Sequence, residues 1–194
     1  MTNPMLNYAF RAFGFLKVEY DGRNYNKFLY YIPLVISLFV TLFIYLINLS
    51  TEGIVNIFLE DAFSSLSTFT QVLPGFYIGS LAAIASYGYT GLDSEMSSPK
   101  AKIQESTTNG SRPSLLTRRR YLTIMFGYLA SISMVLTILV FFVTLLYSIG
   151  VFPVAKIIFL ATYYLVVFIF FSIFIQMLLI TFFGIYYLSD RMHR

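Results

Sequence analysis

Four long windows of this sequence lack Asp, Glu, Lys and Arg altogether, and that segregation of charge constrains the fold more than any motif. The windows are residues 28–51, 62–92, 121–155 and 157–189, which hold 24, 31, 35 and 33 residues. About 20 apolar residues in a helix cross the ~30 Å hydrocarbon core of a bilayer, so each window is long enough for one crossing. Only 11% of the chain is charged, against about 25% in ordinary soluble domains. A soluble four-helix bundle needs a polar stripe on every helix, whereas YLVVFIFFSIFIQMLLITFF at 164–183 is apolar nearly all round. The expected fold class is an all-α polytopic membrane protein with four transmembrane helices.

Basic residues set the expected orientation, because Lys and Arg in short loops resist translocation. Arg11, Lys17, Arg23 and Lys27 precede the first span, six bases lie between the second and third, and Arg191 and Arg194 end the chain. An N-in, C-in layout keeps 12 of the 13 Lys and Arg on the cytoplasmic side, leaving out only Lys156. The domains then run as a cytoplasmic or interfacial segment (1–27), the first two spans (28–92), a cytoplasmic loop (93–120), the last two spans (121–189) and a tail (190–194). Within the loop, Lys100, Lys102, Arg112, Arg118, Arg119 and Arg120 are candidates to contact lipid phosphates or a partner. Near an anionic surface each such residue contributes roughly 1 kcal/mol. The net charge of +4 therefore requires no nucleic acid, and none is expected to bind directly.

Local signals fill in the connections. In MLNYAFRAFGFLKVEY, Leu6, Ala9, Phe10, Phe13 and Leu16 recur at helical spacing, with Asn7, Arg11 and Gly14 opposite. The pattern predicts a short amphipathic helix, lying in the inner leaflet or packed beneath the bundle as a cap. Pro33 falls near the start of the first span, where a missing donor costs least. Glu60 and Asp61 suit the N-terminus of the second helix, and Gly88 and Gly91 are expected to end it. DSEMSSPKAKIQESTTNGSR at 93–112 is too polar to fold alone, so it reads as a mobile loop or an element that orders on a partner. Pro113 and Ser114 then supply a breaker and a helix cap. The third and fourth spans are longer than a bilayer, and Pro153 in GVFPVAK is placed to begin the fourth helix.

The second span is unusual in its side chains. Ser64, Thr68, Gln71, Gly75, Gly79, Ala82 and Ser86 advance by threes and fours along one face, with Leu66, Leu73, Tyr77 and Ile84 on the reverse. Gly75 and Gly79 make a small-xxx-small step that Ala83 continues. Lipid tails give helices no hydrophobic reason to associate, so small side chains that admit a second backbone, and polar ones that bond across it, do that work. Three uses fit this face: packing within or between protomers, lining a wet path in an oligomer, or forming a movable hinge. Pro74 cannot donate to the carbonyl of Thr70, so the helix is expected to bend there. The freed carbonyl then requires a hydroxyl, another helix or water.

Chemistry is sparse. There is no Cys, and the single His, His193, is next to the C-terminus. Intramembrane catalysis and ion coupling use ionisable residues at depth, and the spans offer only the amides Gln71 and Gln176, with Asn48 near an end. Neither an enzyme, a cofactor nor a metal site is expected.

With the spans after Phe28, Ala62, Tyr121 and Pro153, and the inner loop DSEMSSPKAKIQESTTNGSR, the chain resembles the KwaA family, the membrane subunit of the bacterial Kiwa antiphage defence system. The resemblance covers the whole length by layout and carries no short motif. It implies a homo-oligomeric sensor of the inner membrane, expected as a tetramer, that recruits a cytosolic DNA-binding KwaB-like partner. It assigns no catalytic residue. The rival expectation is an oligomeric channel or holin-like pore that depolarises the membrane.

Overall fold

Uncharged apolar runs become helices in lipid because each backbone N–H and C=O must find its partner inside its own segment. The computed structural model describes residues 10–20, 25–51, 57–59, 61–96, 100–107, 110–149 and 157–191. It is mostly helical, with α1 at Tyr25–Ser50, α2 at Asp61–Ser86, α3 at Arg118–Ser148 and α4 at Ile157–Tyr186. All four are long and apolar enough to cross a membrane, over stretches of 23, 24, 29 and 30 residues. As expected, α3 and α4 outrun a bilayer: their 31 and 30 residues span about 45 Å at 1.5 Å per residue. Because α1 begins at Tyr25, Pro33 sits inside the helix and not in its first turn. Pro153 lies outside the described residues, as do Glu60, Leu6, Asn7 and Ala9.

The all-α expectation needs one correction. Three strands, β1 (Glu19–Tyr20), β2 (Ala101–Thr107) and β3 (Gly110–Leu115), form an antiparallel sheet in that order. The pairing runs from Lys102 opposite Leu115 to Thr107 opposite Gly110, and β1 adds Glu19 opposite Lys102. Most of the stretch expected to await a partner is thus folded within the chain. Of its own residues Met96 and Ala101 are buried, and Val18 and Leu116 complete the core, all at most 4% exposed. A hairpin signal was present in the sequence, since Asn-Gly is common in hairpin connections and Asn109-Gly110 stands at the start of β3. Pro113 is tolerated because β3 is an edge strand. Ser114 is consequently a strand residue. The cap of α3 is Thr117, whose hydroxyl accepts the backbone N–H of Arg120 at 3.3 Å.

Contacts divide the chain into two units. The first comprises residues 1–29, 74–131 and 180–194. Its core joins the 3-10 helix Phe10–Lys17, the sheet and the ends of three long helices. Phe15 stacks on Tyr128 with centroids 5.6 Å apart, and Phe13 meets the same ring edge-on. The N-terminal segment is therefore a cap on α3. Phe15 and Val18 are its buried residues, neither on the face drawn by a 3.6-residue period, while Phe13 and Leu16 of that face are half-buried; a 3-10 helix repeats every three residues. Gly14, expected on the polar side, faces the sheet: a Cβ there would stand 3.9 Å from Ile103. Deeper in this unit Tyr77, fully buried, bonds the Thr181 hydroxyl at 2.6 Å.

The second unit comprises residues 30–73 and 132–179. Phe58, Phe63, Tyr163 and Phe170 make an aromatic cluster there, with Phe58 and Phe63 edge-to-face at 4.8 Å. α1 joins this unit through a polar seam. Ser37 and Ser172 share a 2.7 Å hydroxyl bond, and Asn48 donates to the Tyr164 hydroxyl at 3.0 Å. The carbonyl freed by Pro74 finds the hydroxyl it requires: Thr137 donates to Thr70 O at 3.2 Å.

Candidate functional site

Within the protomer α2 buries Phe63, Thr70, Leu73, Tyr77 and Ile84, while Phe69, Val72, Phe76 and Ile78 are exposed. Ser64, Thr68, Gln71, Gly75, Gly79, Ala82, Ala83 and Ser86 are all exposed. A Cβ added at Gly75 or Gly79 would meet nothing within 4 Å. Among the described residues nothing packs closely against Gly75 or Gly79 of this face. The intraprotomer close approach falls at Gly184 of α4, where a Cβ would stand 2.7 Å from Met125 Cε. That contact was missed from sequence, although a lone glycine in the bulky run TFFGIYY marks such a crossing.

Two hydroxyls of the stripe are bonded within the helix. Thr68 donates to Ser64 O at 3.0 Å, and Ser86 donates to Ala83 O at 3.2 Å. Gln71 differs, because an amide carries two donors and an acceptor. One N–H reaches Ser67 Oγ at 3.3 Å, and the rest of the group has no partner among the described residues.

The basic residues separate into distinct roles. Arg119 is internal in its bonding: Nε and Nη2 clasp the Asp93 carboxylate at 2.7 and 3.2 Å, while Nη1 donates to the carbonyls of Ile84 and Tyr87, both at 2.9 Å. This guanidinium, not a glycine, caps α2, and neither Gly88 nor Gly91 takes a left-handed backbone. Arg119 holds the Asp93 carboxyl below its ordinary range. Lys100 makes an exposed ion pair with Glu95 at 3.4 Å, a kind that contributes about 0–1 kcal/mol. Lys102 is half-buried in β2, Arg118 is half-buried at the start of α3, and Arg120 is exposed. Arg112 pairs opposite Glu105 in the sheet. Arg119 is therefore withdrawn from the set expected to meet lipid phosphates. Elsewhere in the first unit Tyr20 and Tyr121 share a 2.8 Å hydroxyl bond, and burial pushes the Tyr20 phenol up to about 12.

These features define a class: a helical protein with four membrane-spanning candidates and a small antiparallel sheet. No family model, no curated protein and no solved structure matches the chain.

Proposed function

We propose that this chain is a non-enzymatic sensor or scaffold subunit of the bacterial inner (plasma) membrane, with both termini cytoplasmic. It self-associates through the outward face of α2, as a closed ring of four, and recruits a cytosolic KwaB-like partner in antiphage defence. The orientation is supported by the bases: the first 27 residues, the 93–120 connection and the tail carry all but one of them. The folded sheet then lies on the cytoplasmic side, where Lys102, Arg112, Arg118 and Arg120 supply positive charge for a partner or for lipid phosphate. The defence role rests on the resemblance to the Kiwa membrane subunit in layout.

One observation carries the self-association: the eight-residue face of α2 is exposed, with an incompletely bonded amide in it. Hydrocarbon cannot satisfy Gln71, whereas a neighbouring copy can, and inter-helix bonds of this kind stabilise by about 0.6–2 kcal/mol. Small residues around it let the second backbone approach. Native mass spectrometry of the protein released from lipid nanodiscs is expected to show an oligomer, and Gly79→Leu to shift it towards monomer. A wild-type monomer at the same concentration refutes the reading.

The same face favours a second reading, a pore, since a ring of Ser, Thr and Gln can line a wet path. Cysteines at Thr68, Gln71 and Gly75 separate the two. Labelling by a membrane-impermeant thiol reagent in intact membranes supports the pore, and protection throughout supports a dry interface.

A further inference from the structure

We propose that Arg119 is a mechanical joint that carries displacement of the α2 end into the sheet. This deepens the docking role given to the sheet, and depends on that role only for the consequence of moving the sheet. A cation is disfavoured at the N-terminus of its own helix and favoured at the C-terminus of another. Arg119 stands in the first turn of α3 yet directs its donors to the last carbonyls of α2 and to Asp93. Its placement serves the connection between the helices.

From Asp93 the linkage continues through backbone bonds. Arg118 N–H donates to Ser94 O at 3.1 Å, Met96 N–H to Leu116 O at 3.3 Å, and Leu116 N–H to Ala101 O at 3.0 Å. Glu95 bridges Thr117 between them. The route leads from the α2 terminus into β2, and Arg119 is the side chain that joins it to α2. The covalent path passes through residues 87–89, which belong to no helix or strand, before the turn Thr90–Asp93. A span longer than the local hydrocarbon answers a change of bilayer thickness by tilting, which displaces its end. With Arg119 engaged, Asp93–Met96 must move with it.

The test uses the full chain in nanodiscs of short-chain and long-chain phosphatidylcholine, with amide exchange read at Glu95, Met96 and β2. In the wild type the exchange rates are expected to differ between the two lipids by about threefold or more, the range of local opening. Arg119→Gln is expected to abolish that difference. Asp93→Ala leaves both α2 carbonyls capped and the Arg118–Ser94 bond in place and is expected to reduce the difference, so it decides the matter should Arg119→Gln insert poorly. Ser148→Ala, whose hydroxyl bonds Leu145 O at the last turn of α3 and off the route, retains the wild-type ratio. A wild type indifferent to lipid overturns the joint. So do variants that exchange faster in both lipids with the ratio preserved, which is what a static cap would do. No partner is present in this assay, so loss of partner recovery in a separate pull-down would reject the docking role without touching the joint.

Discussion

Replacing Thr137 with valine removes the hydroxyl that stands in for the amide Pro74 lacks, and its effect should depend on Pro74. The two side chains have nearly the same shape, so no cavity confuses the result. Thr137 Oγ1 has one proton and faces two carbonyls, Ser133 O at 2.9 Å and Thr70 O at 3.2 Å. Ser133 O also has the helical amide of its own turn to fall back on, whereas Thr70 O does not. Thr70 is fully buried, and a buried acceptor left unsatisfied costs about 1–3 kcal/mol. Sharing of the proton and the modest worth of such bonds in membranes, ~0.6 kcal/mol on average, put the loss near the lower bound, about 1 kcal/mol. Pro74→Ala returns an N–H to position 74, and in that background Thr137→Val should cost close to nothing. The coupling is then about 1 kcal/mol, roughly fivefold in the unfolding equilibrium constant. A double-mutant cycle of reversible unfolding in bicelles measures it. Equal cost in both backgrounds would show that the Thr137 bond does not compensate the proline.

Two more outcomes concern the first unit. Gly184→Leu drives a branched side chain into Met125, which is fully buried, and overpacking of that kind costs about 1–3 kcal/mol. Gly184→Ala should cost less, since the nearest atom is the flexible end of a methionine; bicelle unfolding of both variants checks the order. Tyr20, raised to about 12 by burial, holds its proton more tightly folded than unfolded. Its contribution is complete below about pH 10 and declines as pH climbs through the folded value, by roughly 2 kcal/mol at pH 12. Tyr20→Phe should flatten that part of the alkaline stability profile, and an unchanged profile would reject the assignment.

The spans were legible because their cause is local and one-dimensional. Four uncharged windows in the sequence have no alternative to pairing their backbones internally, and α1 to α4 occupy them. The need of Thr70 O for a substitute donor was equally local, arising from the covalent structure of Pro74. What the sequence did not determine was which surfaces meet. The wheel drew a small face on α2 but not what it meets. Only the packing of Leu73, Tyr77 and Ile84 revealed which side of α2 turns into the protomer, leaving the small residues exposed along with Phe69, Val72, Phe76 and Ile78. Arg118, Arg119 and Arg120 are indistinguishable as letters and differ because Asp93 and the end of α2 converge on the middle one. The 93–112 stretch looked unable to fold because its own apolar content is low. Tertiary structure decided otherwise by setting Val18 beside its own Ala101 and Met96 and the adjoining Leu116 as buried surface, and Val18 is a contribution from far along the sequence that no local period can register.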